Sequence, residues 1–268
     1  MIKYLEVCNK SIALKELTRM THKKRFVAGN WKMNGSLAQN RELLNALIET
    51  VKDADSEIVV FPPSIYVQQV ASMTEGTNIK VGLQNISAEP KGAFTGEISI
   101  PMAKDFGCDY ILIGHSERRT LFGETDADVA KKMKAVVDAG LIPVICVGET
   151  LDERETGKTE DVIKSQIASV IDAIGIEAFE NAVIAYEPVW AIGTGKTATP
   201  EEADQVHDFI LCTLKNYSDK ISDLVRVVYG GSVNASNVES LFTKENIDGA
   251  LVGGASLEAE GFTKIALA

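Results

Sequence analysis

DADVAKKMKAVVDAGLIPVICVG, residues 126–148, contains one helix and one strand, and the change of pattern between them decides the fold. Over residues 126–140 the apolar residues return at i, i+3 and i+4, as on one face of a helix. The segment starts on an Asp that suits a cap and stops at Gly140. Residues 142–148 then run apolar without alternation, as a strand buried on both faces does.

The same unit recurs along the chain. Short β-branched runs lie at 25–30, 57–61, 79–84, 110–115, 142–148, 182–188, 225–231 and 247–254. Helical patterns separate them, among them 36–51 and 159–175. Eight βα units with no break in composition predict a single α/β domain, a (β/α)₈ barrel over residues 25–268. A doubly wound open sheet is the alternative that the pattern leaves open. Residues 1–24 read as an N-terminal extension. They hold six basic and two acidic residues and lack the apolar core of a secretory signal. Met20 lies just before the first strand, so a functionless extension, with translation starting there, fits the sequence better than a targeting role does.

Composition excludes some partners. The chain has 268 residues, 45% hydrophobic, and a formal net charge of −11. Nucleic acid and anionic membrane surfaces call for a basic face, so neither is expected as a partner. No apolar run reaches the roughly 18 residues needed to span a bilayer. Cys8, Cys108, Cys146 and Cys212 are widely spaced and form no C-x-x-C. They read as reduced thiols in a cytoplasmic protein, with Cys146 buried in its strand, and no metal site is expected.

AIGTGKTATP, residues 191–200, imitates a nucleotide loop. A phosphate-cradling P-loop needs its first glycine five residues before Gly195, where Trp190 stands. Nucleotide loops also start their helix inside the glycine run. Here Thr199, Pro200 and Glu202 predict a helix starting later, with a capping box. Two readings then remain: a flexible surface loop, or a lid gripped by Trp190 and Ile192 whose free amides meet an anion.

In a barrel the chemistry sits where strands end. Asn30 and Lys32 follow the first strand. His115 and Glu117 follow the fourth, Glu149 the fifth and Glu187 the sixth. Gly230, Gly231 and Ser232 follow the seventh, and Gly253 and Gly254 the eighth. Each has a plain reading too. His115 suits a structural hydrogen bond, Glu187 an ion pair, and Lys32 a solvated position. Glu149 reads as a partner of Arg119 or another cation. His22 and His207 read as surface residues. On one rim, however, a carboxylate, an imidazole and an ammonium suit proton abstraction beside a carbonyl. The turn at Ser116 and Glu117 would set a helix N-terminus against His115, depressing its pKa and keeping it neutral. The glycine turns after strands seven and eight suit a phosphate.

Six stretches carry a resemblance: FVAGNWKMNG (26–35), GAFTGEIS (92–99), ILIGHSERR (111–119), AYEPVWAIGTGK (185–196), VVYGGSVN (227–234) and LVGGASL (251–257). From about Phe26 to the C-terminus the chain resembles the triosephosphate isomerase family. The resemblance implies a TIM barrel that interconverts dihydroxyacetone phosphate and D-glyceraldehyde 3-phosphate without cofactor, in glycolysis and gluconeogenesis. It implies Glu187 as base, His115 as neutral electrophile, Lys32 and Asn30 as the electrostatic pocket, and Glu117 as a supporting carboxylate. Gly193, Ser232, Gly253 and Gly254 would hold the phosphate. Residues 84–99 resemble the loop that interdigitates with a second subunit, which implies a homodimer with Thr95 near the partner's site.

Overall fold

The computed structural model describes residues 23–192 and 197–268. Eight strands lie where the apolar runs predict them: β1 (Phe26–Asn30), β2 (Glu57–Phe61), β3 (Ile79–Leu83), β4 (Tyr110–Ile113), β5 (Ile142–Val147), β6 (Val183–Tyr186), β7 (Arg226–Tyr229) and β8 (Gly249–Val252). All pairings are parallel and follow chain order. β1 pairs with β2 through Val27 and Ile58, and with β8 through Val27 and Ala250. That last pairing closes the barrel and excludes the open sheet.

Alternate residues of each strand feed two cores. Phe26, Ala28, Val59, Phe61, Leu112 and Val144 pack together inside the barrel. Val27, Ile58, Val60, Ile111 and Ile113 point outward and pack beneath the helices. Because both faces are buried, the strands read as unbroken apolar runs. Leu44 and Leu47, on the helix Leu37–Thr50, are fully buried against this outer layer. Truncating either to Ala would cost about 2–5 kcal/mol.

The helix starts follow the predicted caps. Ser36 Oγ accepts the N–H of Gln39 at 3.2 Å. Thr125 and Asp128 form a capping box, and so do Thr199 and Glu202, with Pro200 at the first helical position. The glycine-rich loop therefore ends before its helix begins, unlike a nucleotide loop. Its residues 193–196 lie outside the described residues, as do residues 1–22 with Met20 and His22.

Parallel strands put every strand start on one face, the base of the barrel. There Arg25 Nη1 donates to the carbonyl of Ala268 at 2.6 Å and Nη2 to that of Phe242 at 3.3 Å. The Arg25 guanidinium also stacks on the Phe242 ring. Lys23 Nζ donates to the carbonyl of Val225 at 2.5 Å. The start of β1 and the end of the chain are thus fastened together, at the far end of the barrel from the mouth.

His207 is not a surface residue. It sits on the helix Pro200–Lys215 on one stripe with Ala203, Ile210, Leu211 and Leu214, and it is fully buried. Its ring packs against those of Tyr186 and Tyr229, and Nδ1 lies 3.1 Å from the carbonyl oxygen of Asn246. The i, i+4, i+7 spacing places it inward, and the polar residue type hid that spacing.

Candidate active site

The mouth is assembled from the ends of β1, β4, β6, β7 and β8. Asn30, the last residue of β1, is buried, and its Oδ1 accepts the backbone N–H of Lys32 at 3.0 Å. Trp31 is buried too, and its N–H donates to the carbonyl of Phe61 at 3.1 Å. Lys32 then adopts φ 50°, the one left-handed non-glycine residue among the described residues. Such a backbone costs on the order of 1–3 kcal/mol and persists only where its surroundings enforce it. The turn sends the Lys32 side chain across the mouth, where Nζ meets Glu117 Oε1 at 2.6 Å.

β4 ends at Ile113, and two residues later His115 caps the helix Ser116–Phe122. Nδ1 of His115 accepts the N–H of Glu117 at 3.2 Å, and Nε2 lies 2.9 Å from Glu187 Oε1. Glu187 Oε2 accepts the N–H of Ser116 at 3.0 Å. Both side chains are buried, which raises the stakes of every contact they make. For Glu187, burial acts against the carboxylate. His115, the Ser116 amide and Lys32 act for it and hold the group below the ordinary carboxylate value. For His115, burial acts against the imidazolium. The Glu187 and Glu117 carboxylates together outweigh that burial, the largest single cause, and lift the ring above its ordinary value.

The expectation of a depressed imidazole is therefore corrected: the helix N-terminus is present, but the carboxylate contact is stronger. The amide of Glu117 still fixes where the proton lies. A nitrogen that accepts an N–H carries no proton, so the proton of the neutral ring is on Nε2, facing Glu187. Once Glu187 turns away toward a ligand, its upward pull is lost. Burial, the Glu117 amide and the Lys32 charge remain and favour the neutral ring, against the Glu117 carboxylate 3.6 Å from Nδ1, which favours the charged one.

Ser232, after β7, donates its hydroxyl to the carbonyl of Ala191 at 2.8 Å, so it fastens the chain just before residue 193. Gly253 and Gly254 follow β8. A Cβ on Gly254 would meet no protein atom within 4 Å, and one on Gly253 only Lys32 Cε at 3.6 Å. Among the described residues only Lys32 Cε approaches the space beside these two backbones. That space belongs to a cavity of about 350 Å³ lined by Asn30, Lys32, His115, Glu187, Ser232 and Gly253 among others. The structure thus brings together every predicted site residue that it describes. Gly193 lies outside the described residues.

The sequence of residues 25–268 matches the profile of the family described as Triosephosphate isomerase. The chain belongs to the triosephosphate isomerase family. Curated triosephosphate isomerases from Nitrosomonas europaea and Clostridium tetani are each 51% identical to it over 244 residues. Those alignments cover 91% of this chain and 97% and 96% of the two relatives. The triosephosphate isomerase of Legionella pneumophila subsp. pneumophila is 50% identical, with 91% and 98% covered.

Three supports of this triosephosphate isomerase site escaped the sequence reading. The cation that pairs with Glu149 is Arg154, while Arg119 meets Asp126 at 2.5 Å; what the sequence did not show is the rest of the Glu149 contacts. Glu149 is buried, lies 3.5 Å from Arg154, and accepts from Tyr186 Oη at 3.1 Å and Trp190 Nε1 at 2.9 Å. Gln166 pairs with both peptide groups of Gly148, at 2.9 and 3.2 Å. Gly148 in turn must lack a Cβ, which would stand 1.8 Å from the Glu187 carbonyl oxygen. Gln84 reaches back to the Lys32 backbone. These contacts join residues far apart in sequence, and no local pattern announces them. Only the glycine at 148, directly after an apolar strand, hinted at close backbone approach.

Proposed function

We propose that this chain interconverts dihydroxyacetone phosphate and D-glyceraldehyde 3-phosphate through an enediolate, as an enzyme of glycolysis and gluconeogenesis in the cytoplasm. The observation that carries the reading is one cavity in which the Glu187 carboxylate, the Nε2–H of His115 and the Lys32 ammonium all converge. Membership of the triosephosphate isomerase family supports the same substrate class.

The chemistry follows from the contacts. Glu187, held as a carboxylate, takes a proton from the carbon next to the substrate carbonyl. The electron pair moves onto the carbonyl oxygen, where His115 donates a hydrogen bond and Lys32 supplies positive charge. Glu187 returns the proton to the former carbonyl carbon, while His115 Nε2 gives its proton to the former carbonyl oxygen and takes the one on the neighbouring hydroxyl. The carbonyl thus ends on the carbon that first lost its proton, and both residues regain their starting states. A positioned base contributes roughly 10²–10⁴-fold, and preorganised donors at the oxyanion are worth about as much or more. Here the base is bound to His115 and the Ser116 amide, so substrate has to draw it off before it can act. Asn30 holds the lysine turn, and Glu117 steadies the ammonium. Ser232 and the Gly253 and Gly254 amides bind the phosphate from the open side of the cavity, and the segment containing Gly193 closes over it. No cofactor or metal takes part in this scheme.

The rival aldolase reading needs a lysine inside the barrel. Lys80 is the only lysine in a described strand, and it is exposed. The catalytic domain in this reading is residues 25–268, and residues 1–19 of the extension are dispensable. A chain starting at Met20 then keeps full activity.

The active form in this reading is a homodimer. Residues 89–97 at the tip of the 84–99 loop are exposed. Met33 and Ile65 are 95% and 81% exposed, and Phe94 on that tip is exposed as well. Apolar groups at such exposure around one mouth suit a second subunit, into which the tip with Thr95 would reach.

The deciding experiment is conversion of glyceraldehyde 3-phosphate in the presence of EDTA, wild type beside Glu187→Ala. Fast turnover by wild type and a loss of several orders of magnitude in the variant support the isomerase. A folded wild type without activity overturns it.

A further inference from the structure

We propose that Gln84 is a positioning residue for this reaction: it holds the left-handed backbone of Lys32, so that the ammonium projects over the mouth. The proposal rests on the isomerase reading above.

Gln84 follows β3, two strands away from the lysine. Its Nε2 donates to the carbonyl of Lys32 at 2.8 Å and to that of Phe61 at 2.8 Å. An amide nitrogen has two hydrogens, so these two bonds use its full donor capacity. The carbonyl of Phe61 also accepts the N–H of Trp31. The ends of β1, β2 and β3 therefore meet in one small network around the peptide that follows Lys32. Asn30 Oδ1 holds the N–H on the other side of the same residue. Lys32 is thus gripped at its amide by Asn30 and at its carbonyl by Gln84, and φ at that residue is 50°.

The two grips differ in consequence. Asn30 lines the cavity, so replacing it changes the binding surface itself. Gln84 does not line the cavity and reaches the reaction only through Lys32. Without the Gln84 bond the Lys32 peptide can relax toward an ordinary backbone conformation. The side chain would then leave from a different direction, and Nζ would no longer fall beside Glu117. A shift of about 1 Å at a group that polarises the substrate oxygen is worth roughly 10²-fold in rate.

The test is a double-variant cycle with Gln84→Met, which keeps length and shape but removes both donors, and Lys32→Met, which removes the charge. In the otherwise wild-type enzyme, Gln84→Met should lower kcat/KM at least tenfold while the melting midpoint leaves the protein folded at assay temperature. In the Lys32→Met background the same change should alter kcat/KM less than twofold. A merely structural role would give equal losses in both backgrounds, and that result overturns the proposal, as does a fully active Gln84→Met. A crystal structure of Gln84→Met reads the geometry independently of any activity. Lys32 leaving the left-handed region supports the proposal, and an unchanged Lys32 overturns it. If wild type itself fails to isomerise, the functional reading fails, and the crystal structure still reports whether Gln84 holds the turn.

Discussion

The indole N–H of Trp190 donates to the Glu149 carboxylate across 2.9 Å, and this bond ties the turn after β6 to the end of β5. The Arg154 guanidinium lies 4.5 Å from the centre of the same indole and also contacts Glu149. The chain entering the proposed lid is therefore anchored by a buried charge.

Trp190→Phe keeps a ring beneath Arg154 and removes the donor. A buried carboxylate that loses one hydrogen bond should cost about 1.5–3 kcal/mol. Urea unfolding should show that loss, with kcat/KM falling in the same variant because the lid's first turn is no longer fixed. Unchanged stability and turnover would mean that Glu149 is satisfied without the indole.

Gly148→Ala places a methyl group where the Glu187 carbonyl oxygen now stands. The backbone carrying Glu187 has to move. We expect kcat to fall at least a hundredfold, with a much smaller change in KM, since in the proposed reading phosphate would be held on the other side of the cavity. Steady-state kinetics on the folded variant decides it.

Acid stability offers a third test. The backbone N–H of Thr199, with its hydroxyl, and Arg154 hold the Glu202 carboxyl below its ordinary value. A carboxylate with a depressed folded pKa contributes stability above its unfolded value of 4.5, and the contribution vanishes as pH falls through the folded value. Glu202→Gln should therefore lower the melting midpoint at pH 7 and lower it less at pH 3. A gap that is constant with pH would assign the effect to packing instead.

Thr95→Glu puts a negative charge on the loop tip that would enter a partner's site beside Glu117 and Glu187. Light scattering at micromolar concentration should show a dimer for wild type and monomer for the variant, with activity lost together with the dimer. An active wild-type monomer would remove the loop from the functional reading.

The sequence foretold much of this because much of it is periodic. Each strand announced itself as an apolar run, since parallel strands are buried on both faces. Thr199, Pro200 and Glu202 announced the helix that keeps the glycine loop from being a nucleotide site. Asn30, Lys32, His115 and Glu187 were legible because each lies at or within two residues of the end of a strand, and the resemblance to the isomerases then gave each a role. Contacts across the barrel were hidden. Gln84 acts on Lys32 from two strands away, and Glu149 takes Arg154 as its cation but also serves Trp190 and Tyr186, which no spacing announced. His207 was misread because its residue type outweighed its spacing. His115 was expected to be depressed because a helix start is visible in sequence, whereas the carboxylate on its other nitrogen is not.

The clasp between Arg25 and Ala268 bears on how the chain could be rewired. Residues that begin and end the barrel already touch, so a short linker could splice them, and new termini could be opened in an exposed loop elsewhere on the base. Such a circular permutant would preserve every strand neighbour and leave the mouth untouched. Its refolding would then report how far the order in which the βα units are made matters to the closed ring.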